Sequence, residues 1–505
     1  MATQDKKRQV IIVGGGITGL ALSLMLQHSG VDYILLEAYD SVTPNVGASI
    51  GLFPNGLRIL DQLGLFQDIL AKAQPVNSMI VRDMTTGKRI MTRKTRQLIT
   101  ERHGYPSMFM ERYELLCVMY KHIKEKNRFF VNKKVKRVET REDGATVYTE
   151  DGSVFQGQIV VGADGVRSTI RREMWRNADA ANDSAAIPVR DRQDIPCEHA
   201  CIFGTAKPTD GIEAGEVTGA SGHGTVAGCM GGPGAEVFVF WFWKLPDGQR
   251  TCPINDIPRF DDADKVREFA RGADKTVADN GLKFGQVEKN LLYSGVTALP
   301  HFVMRRWHYG RIVILGDAAH KFNPLVGQGG NSCIESCAAL VNQLQAQNLL
   351  GPQSSNPASW PLASLSKAFV ALEKQRVDRL VDMVESCQDA MRSSAWESWK
   401  LRMLHKYMLP LMPLDKYVDY YSQQISGGLR LLSIDPPKAA HNWPYSDEKT
   451  PEEKSITISR AGVVATIPVA ALTAFFLAKV LRSENGLGGS MLMSRVFDKV
   501  ASFRQ

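Results

Sequence analysis

A glycine-rich turn between an apolar strand and an apolar helix, close to the start of the chain, constrains the fold most. Residues 9–13 are short, β-branched and apolar, which predicts a buried strand, and residues 17–29 predict a helix. Between them stands Gly14-x-Gly16-x-x-Gly19. Glycines let the backbone turn tightly, and the N-terminus of the following helix offers free N–H groups to an anion such as a pyrophosphate. The sequence therefore predicts a phosphate-binding strand–turn–helix.

A second strand, predicted over residues 33–37, ends in Glu37, 18 residues after Gly19. A carboxylate at this place can accept hydrogen bonds from ribose hydroxyls. Strand, helix, strand and acid together predict a dinucleotide site in a parallel α/β sheet. A tight turn that binds no ligand would contain the same glycines, and the motif alone does not distinguish FAD from NAD.

Two later stretches repeat the arrangement of a strand followed by small residues. GADGVRS occupies residues 162–168, and GDAAH occupies residues 316–320 and continues as PLVGQGGN over residues 324–331 into a predicted helix. Asp317 is placed to bind a ribityl hydroxyl, and the glycines that follow allow backbone amides to approach a flat ring closely. Each stretch taken alone is also compatible with an ordinary turn at a sheet edge.

In this order and at these spacings, the three motifs resemble those of the single-component flavin monooxygenases, the family that includes the aromatic hydroxylases. The resemblance covers residues 9–345. It implies an α/β fold in which a discontinuous, Rossmann-like FAD-binding domain lies against a β-sheet substrate domain. It also implies that NADPH reduces the bound FAD without a second Rossmann motif.

The resemblance assigns roles to single residues. Glu37 would bind the ADP ribose, Asp317 would bind the ribityl chain, and Gly330 would lie beside the isoalloxazine ring. Arg112, within MERYELL, matches an arginine that contacts FAD, and Gly51, within GASIG, matches a backbone contact. The complete predicted cofactor set is Gly14, Gly16, Gly19, Glu37, Gly51, Arg112, Asp164, Asp317, Gly327 and Gly330. The sequence predicts no metal ligand and does not identify a catalytic side chain.

A narrower resemblance concerns the substrate. The stretch GASIGLFPNGLRILDQLGL, residues 47–65, and the apolar C-terminal segment are similar to fungal membrane-anchored enzymes that epoxidise prenyl chains in terpenoid and meroterpenoid biosynthesis, before cyclisation. This resemblance implies a hydrophobic, prenylated substrate. Three alternatives stay open: a flavin-dependent hydroxylase of a phenolic ring, a flavin-dependent reductase of isoprenoid double bonds, and a flavin-binding protein without activity.

Acid–base residues bear on this choice, because a phenol hydroxylase benefits from a group that deprotonates the phenol, whereas an epoxidase does not need one. His223 is either a group near the flavin or an ordinary turn histidine. Trp241 and Trp243 alternate with Phe242 on a predicted strand, so they form either core or a hydrophobic substrate wall. His320 and Lys321 lie within the flavin loop, and we expect them to be structural.

The C-terminal segment predicts a membrane anchor. Residues 461–478 carry no charge, and Lys479 and Arg482 follow, so that residues 461–481 reach the length of a transmembrane helix. The basic tail beyond this segment would itself favour the cytosolic side, so a monotopic anchor remains an alternative to a single pass. Because glycines interrupt the N-terminal apolar run, we expect no signal peptide there. The expected location is a membrane of the endoplasmic reticulum, with the catalytic domain in the cytosol.

Net charge and cysteine content indicate which classes of partner the chain is expected to have. The formal net charge of +8 at pH 7 suits an anionic cofactor or a lipid surface, and without a nucleic-acid-binding motif we expect no nucleic acid partner. The eight cysteines form no CxxC, which indicates reduced thiols. The predicted boundaries are 1–175 and 286–350 for the FAD-binding domain, 176–285 for the β-rich substrate domain, 360–435 for a helical region, 436–460 for a linker, 461–481 for the transmembrane helix and 482–505 for the tail.

Overall fold

The computed structural model describes residues 7–449, apart from Val46, Ala48 and residues 351–359. The chain divides into two compact units, Met1–Pro444 and Tyr445–Gln505. All helices and strands of the described residues lie in the first unit.

The strands of the described residues are numbered in chain order. They are β1 Arg8–Val13, β2 Tyr33–Leu36, β3 Ser49–Leu52, β4 Gln74–Pro75, β5 Ser78–Asp83, β6 Arg89–Arg93, β7 Met108–Glu111, β8 Phe129–Phe130, β9 Val135–Arg141, β10 Gly144–Thr149, β11 Val154–Gly162, β12 Ile195–Pro196, β13 His199–Ala206, β14 Glu216–Gly222, β15 Thr225–Gly231, β16 Val237–Lys244, β17 Thr251–Cys252, β18 Leu291–Leu299, β19 Phe302–Val303, β20 His308–Tyr309, β21 Ile312–Ile314 and β22 His320–Lys321.

The α-helices of the same residues are numbered in the same way. They are α1 Ile17–His28, α2 Pro54–Gln62, α3 Phe66–Leu70, α4 Arg96–His103, α5 Arg112–Lys121, α6 Thr169–Ala180, α7 Asp262–Gly272, α8 Phe284–Glu288, α9 Gln328–Ala346, α10 Leu362–Ser394, α11 Trp399–Met403 and α12 Leu414–Ser426.

The first sheet has the strand order β20-β21-β11-β1-β2-β8, with β10 and β9 attached beside β11. β1 pairs in parallel with β11 and with β2, and β21 pairs in parallel with β11. Val10–Val13 at the centre of this sheet are all buried, as expected of a parallel strand covered on both faces. The predicted α/β sheet built from separated parts of the chain is therefore confirmed.

The second sheet has the order β18-β13-β16-β15-β14-β5-β6. Its neighbours are antiparallel except for β14 and β5, which run in parallel. β5 and β6 come from the range 1–175, and β18 comes from the range 286–350, both of which the sequence assigned to the FAD-binding domain. The observed boundary therefore differs from the predicted one, because strand pairing over such separations is not encoded in local pattern.

Two long helices connect these layers. α9, which follows the PLVGQGGN stretch, is almost wholly buried and contacts both α1 and α10. α10 extends over 33 residues and buries most of its large apolar side chains, although Leu362 and Val370 are exposed. The end of α10 reaches the second sheet, where Met391 and Ala395 join an apolar cluster with Phe242.

The predicted transmembrane helix, residues 461–481, lies outside the described residues, as do the tail and residues 450–460 of the predicted linker. Within the described part of the chain, no helix combines the length and the apolar character that crossing a bilayer requires.

Candidate active site

Backbone atoms surround two glycines of the GxGxxG turn so closely that no side chain fits there. Gly14 has a φ of +106°, and a Cβ built there would lie 2.4 Å from the carbonyl oxygen of Ala163 in the second motif. A Cβ on Gly19 would lie 1.9 Å from the carbonyl oxygen of Gly14. Any side chain at either position would collide with backbone, so these glycines bring two of the motifs together. At Gly16, by contrast, a Cβ would meet only the guanidinium of Arg112, at 3.5 Å.

Gly16 is also the N-cap of α1, and having no side chain it cannot cap the first amides of the helix. Free N–H groups and the positive end of the helix dipole thus point to the place where the guanidinium of Arg112 lies. Both are complementary to a diphosphate. This cradle would suit the pyrophosphate of FAD, and the roles of Gly16 and Arg112 in binding it stay predictions.

Glu37 follows β2 and is 8% exposed. Its Oε2 accepts the N–H of Gly15 at 2.5 Å, and its Oε1 accepts the N–H of Tyr39 at 2.9 Å. These two bonds fix the carboxylate beside the glycine-rich turn. Since each carboxylate oxygen has a second lone pair, Glu37 keeps the capacity to accept bonds from ribose hydroxyls.

Arg112 begins α5, and its side chain lies between two glycine-rich stretches, since a Cβ on Gly47 would be 3.2 Å from its Cδ. Burial lowers the pKa of Arg112, while the charges of Asp317 and Glu37 act to raise it. One cation and two carboxylates, from three distant parts of the sequence, therefore share one electrostatic environment. The arrangement fits a cofactor with anionic phosphates and hydroxyl-rich linkers.

Asp317 lies in a short 3₁₀ turn, Gly316–Ala318, after β21. Its Oδ2 accepts a hydrogen bond from Nζ of Lys321 at 2.5 Å, and its side chain is 31% exposed. Burial acts to lower the pKa of Lys321, but the neighbouring Asp317 outweighs it and the pKa is raised, so the ammonium group of Lys321 is charged at neutral pH. Asp317 is thus held in place from one side and open to a ligand hydroxyl from another.

The third motif meets β3 through Asn331. Its Nδ2 donates to the carbonyl oxygens of Gly51 and Gly327 at 3.0 and 2.9 Å, and its Oδ1 accepts the N–H of Phe53 at 3.0 Å. A Cβ on Gly330 would lie 2.6 Å from Cδ1 of Ile50, so this stretch also approaches β3 closely. Asn331 was absent from the predicted site residues, although the asparagine that ends GQGGN was a visible signal.

Asp164, by contrast, caps a helix. Its Oδ2 accepts the N–H groups of Thr169 and Ile170 at 2.7 and 3.0 Å, and its Oδ1 accepts the hydroxyl of Ser168 at 2.5 Å. Burial raises the pKa of Asp164, and these bonds act in the opposite direction. Both oxygens therefore hold the start of α6. The role observed in the described residues is structural, and FAD binding by Asp164 stays a prediction.

A buried ionic network lies under the third motif. Glu335 of α9 is fully buried and pairs with Arg376 and with Arg379, whose Nη2 lies 3.1 Å from Oε1 of Glu335. Asn55 of α2 donates to the same carboxylate at 2.7 Å. Burial acts to raise the pKa of Glu335, but Arg379 and Arg376 outweigh it and hold it at about 2. The network fixes α9 against α2 and α10, and no local pattern in the sequence predicts it.

His320 extends this network. Its Nε2 contacts Oγ of Ser336 at 3.0 Å, and Nε of Arg376 donates to the same hydroxyl at 3.3 Å. Burial and the neighbouring Arg376 lower the pKa of His320 to about 3, so the ring is neutral at pH 7. The expectation that His320 is structural agrees with this fully buried position.

The second sheet turns an aromatic face toward the third motif. Phe240 and Phe242 lie opposite Phe203 and Cys201 in the register of β16 with β13. Their cluster includes Val226, Leu299, Met391 and Ala395, and Leu325 of the PLVGQGGN stretch packs against it. An apolar wall thus meets the loop that carries Gly327 and Gly330.

The tryptophans of the same strand point the other way. Trp241 contacts Phe284 with ring centroids 5.4 Å apart, and Trp243 contacts Phe260 at 5.6 Å. Both are core residues, which was the first of the two interpretations left open from the sequence. His223 is exposed at the tip of the β14–β15 hairpin, where its Nε2 lies 2.7 Å from Oγ1 of Thr85. It is a turn histidine.

Comparisons with known proteins agree with this geometry. The family model described as "FAD binding domain" matches residues 7–204 and 283–351. The chain is 34% identical over 434 residues to the FAD-dependent monooxygenase penE of Penicillium thymicola, covering 85% of this chain and 88% of that protein. It is 35% identical over 468 residues to the FAD-dependent monooxygenase pyr5 of Aspergillus fumigatus, covering 91% and 98%.

Solved structures share the fold. HpxO of Klebsiella pneumoniae, complexed with FAD and uric acid, superposes with a TM-score of 0.66 at 22% identity, over 83% of this chain and 97% of that one. The p-nitrophenol 4-monooxygenase PnpA of Pseudomonas putida superposes with a TM-score of 0.64 at 18% identity, over 83% and 98%. At these identities the likeness concerns the fold alone.

Proposed function

The chain belongs to the FAD-binding-domain family and is an FAD-dependent monooxygenase, and from this premise we propose that it epoxidises an alkene of a prenyl chain. The substrate is a terpenoid or meroterpenoid intermediate, and the epoxide precedes cyclisation. The reaction consumes the alkene, O₂, NADPH and a proton, and it yields the epoxide, NADP⁺ and water. One oxygen atom of O₂ enters the product and the other leaves as water.

Bound FAD supplies the redox chemistry, since it accepts a hydride from a nicotinamide and activates O₂. The residues of the chain bind and orient it. Arg112 and the N-terminus of α1 would hold the phosphates, Glu37 would hold the ADP ribose, and Asp317 would hold the ribityl chain. These assignments follow the charges and the open hydrogen-bonding capacity at each position.

The apolar wall of the second sheet is the observation that carries the proposal. Phe240 and Phe242 face the loop that ends in Gly327 and Gly330, and Leu325 of that loop packs against the same cluster. A prenyl chain is long and apolar, so it gains from burial against such a wall at about 25 cal/mol per Å². Exclusion of water from this face also protects the activated oxygen from side reactions.

An alkene needs no deprotonation before it accepts oxygen, whereas a phenol does. Two ionisable groups close in sequence to the wall, the buried His199 and the half-buried Lys244, both contact Glu397, with His199 Nε2 at 2.8 Å from its Oε1. Glu397 thus engages the side chains of both residues at the ends of β13 and β16. This arrangement favours a substrate that reacts without a base over a phenolic ring.

The proposal includes a membrane. A prenylated substrate partitions into lipid, so an enzyme held at the cytosolic face of the endoplasmic reticulum membrane by its C-terminal segment would meet it at high local concentration. The segment that would form this anchor, residues 461–481, is uncharged over its first 18 residues.

Product analysis tests the proposal. The full-length protein in detergent is given FAD, NADPH, isotopically labelled O₂ and farnesylated phenols, and the products are fragmented by mass spectrometry. One labelled oxygen on the prenyl chain supports epoxidation. A labelled oxygen on the ring would contradict epoxidation and indicate a hydroxylase of the phenolic ring. A saturated prenyl chain would indicate a reductase. If NADPH does not reduce the flavin, NADPH is not the electron donor.

A further inference from the structure

A helical segment beyond α10, residues 399–411, exposes an unusual row of large apolar side chains. It runs through α11, a π-helical turn Leu404–Met408 and a 3₁₀ turn Leu409–Leu411. Exposed fractions are 73% for Trp399, 39% for Met403, 44% for Tyr407 and 57% for Leu411. These residues recur every four positions along the segment, and all four are exposed to solvent. Large apolar groups gathered in this way mark an interaction surface.

The opposite side of segment 399–411 is fixed to the body of the protein. His405 is buried, and its Nδ1 accepts the indole N–H of Trp396 at 3.1 Å. Nη2 of Arg93 donates to the carbonyl oxygen of Leu409 at 2.6 Å, and Nζ of Lys406 donates to Oδ2 of Asp83 at 2.5 Å. The exposed row is therefore presented by an anchored element.

Basic side chains accompany the aromatic ones. Lys400 and Arg402 are exposed, and Nζ of Lys400 lies 6.0 Å from the ring centroid of Trp399. Nζ of Lys406 lies 5.5 Å from the centroid of the Tyr407 ring. Tryptophan and tyrosine are enriched where membranes meet water, and lysine and arginine attract anionic headgroups.

We infer that segment 399–411 lies on the surface of an anionic lipid bilayer, with its apolar row at the level of the headgroups. A second copy of the chain is a poorer occupant, because a two-fold contact would bring Lys400 and Arg402 against themselves. The charges are complementary to anionic lipid and repel an identical surface. This surface is distinct from the predicted C-terminal anchor, and the inference does not depend on the identity of the substrate.

Segment 399–411 follows closely in sequence on the apolar cluster that contains Phe242. Ala395, in the apolar cluster with Phe242, stands only four residues before Trp399. The end of α10 thus connects the wall of the active site to the surface assigned to lipid. A substrate dissolved in the bilayer would have a short path to the enzyme.

Depth-dependent quenching tests this orientation. A fluorescent amino acid replaces Met403 in the full-length protein, which is reconstituted with vesicles of phosphatidylcholine and phosphatidylserine containing brominated lipid. The matched control carries the same amino acid at Val266, an exposed helical position that also has basic neighbours and is 65% exposed. We expect at least twofold stronger quenching at position 403 than at position 266.

A second variant separates the surface from the tail. Lys400→Glu combined with Arg402→Glu should abolish the extra quenching at position 403, even where the protein still sediments with vesicles through its C-terminus. Equal quenching at positions 403 and 266 would overturn the inference. Cross-linking between copies through position 403, without quenching by lipid, would also overturn it in favour of a dimer.

Discussion

The rings of Phe240 and Phe242 lie stacked on one face of β16, with centroids 5.9 Å apart and ring planes inclined by 7°. Phe242 belongs to the apolar cluster that Leu325 of the flavin motif joins, whereas Trp241, between the two phenylalanines, is buried on the other face. Because side chains alternate between the two faces of a strand, one face of β16 meets the flavin motif and the other packs in the core. Substitutions on its two faces should therefore have different effects.

Phe240→Ala should weaken substrate binding while leaving the fold intact, because Phe240 is only half-buried in the free protein. Loss of its apolar contact, worth about 1–2 kcal/mol, predicts a KM roughly tenfold higher and more NADPH oxidised per product formed. The ratio of product to NADPH consumed measures this. Phe240→Leu should restore most of the ratio of product to NADPH consumed. Trp241→Phe should lower the free energy of unfolding but leave this ratio unchanged. An unchanged ratio in Phe240→Ala would exclude this face as the substrate wall.

Glu37→Gln should weaken FAD binding by about 1.5 kcal/mol, roughly tenfold in Kd, because hydrogen bonds to a charged acceptor are lost to a neutral one. Titration of flavin fluorescence with the apoprotein gives the Kd. The control is Glu150→Gln, whose carboxylate is 54% exposed and pairs with Lys134. Equal affinity in Glu37→Gln and the control would remove Glu37 from the FAD site.

Asp164→Ala should lower the free energy of unfolding by about 1–2 kcal/mol, because the N–H groups at the start of α6 lose their acceptor. The measurement is urea unfolding of the apoprotein, with the FAD affinity of the folded variant determined separately. Since both oxygens of Asp164 serve the helix, we expect the FAD affinity to change far less than in Glu37→Gln. A loss of affinity at unchanged stability would instead support the sequence-based assignment to FAD.

Glu335 should stabilise the fold above its unfolded pKa and lose this effect in acid. The pKa of its carboxyl is about 2 in the folded protein, well below the ordinary glutamate value of 4.5. The folded state therefore binds fewer protons, and the stabilisation is present above pH 4.5 and is lost as the pH falls toward 2. Unfolding free energies of the wild type and Glu335→Gln, measured between pH 3 and pH 6, should converge as the pH falls.

At neutral pH, Glu335→Gln should cost roughly 3–5 kcal/mol, since it leaves Arg376 buried without its counter-charge. Because Arg379 also pairs with Glu335, Glu335→Leu combined with Arg376→Met should recover only part of the loss. A constant difference between wild type and Glu335→Gln over the whole pH range would contradict the ionised state of Glu335.

Local pattern was sufficient to predict the glycine-rich turn and the carboxylate that contacts it. The positions of Gly14, Gly19 and Glu37 follow from a strand, a turn and a helix within one short stretch, where each residue is close in sequence to the groups that constrain it. The same holds for Asp317 after β21. Asp164 shows the limit of such patterns. The sequence placed it in the cofactor site, but did not predict α6, whose N–H groups donate to its carboxylate.

By itself, the sequence determined that the chain folds as an α/β protein around three glycine-rich turns, because backbone geometry and helix dipoles act over a few residues. It also determined that large aromatic residues occupy successive positions of β16, so that both faces of this strand carry them. Only the tertiary structure decided that Phe240 and Phe242 face the flavin loop, that Trp241 faces α7 and α8, and that Trp243 packs against Phe260. Only it decided that Glu335 is buried against Arg376. Both facts depend on contacts between segments far apart in the chain, whose pairing free energy has no counterpart in local pattern.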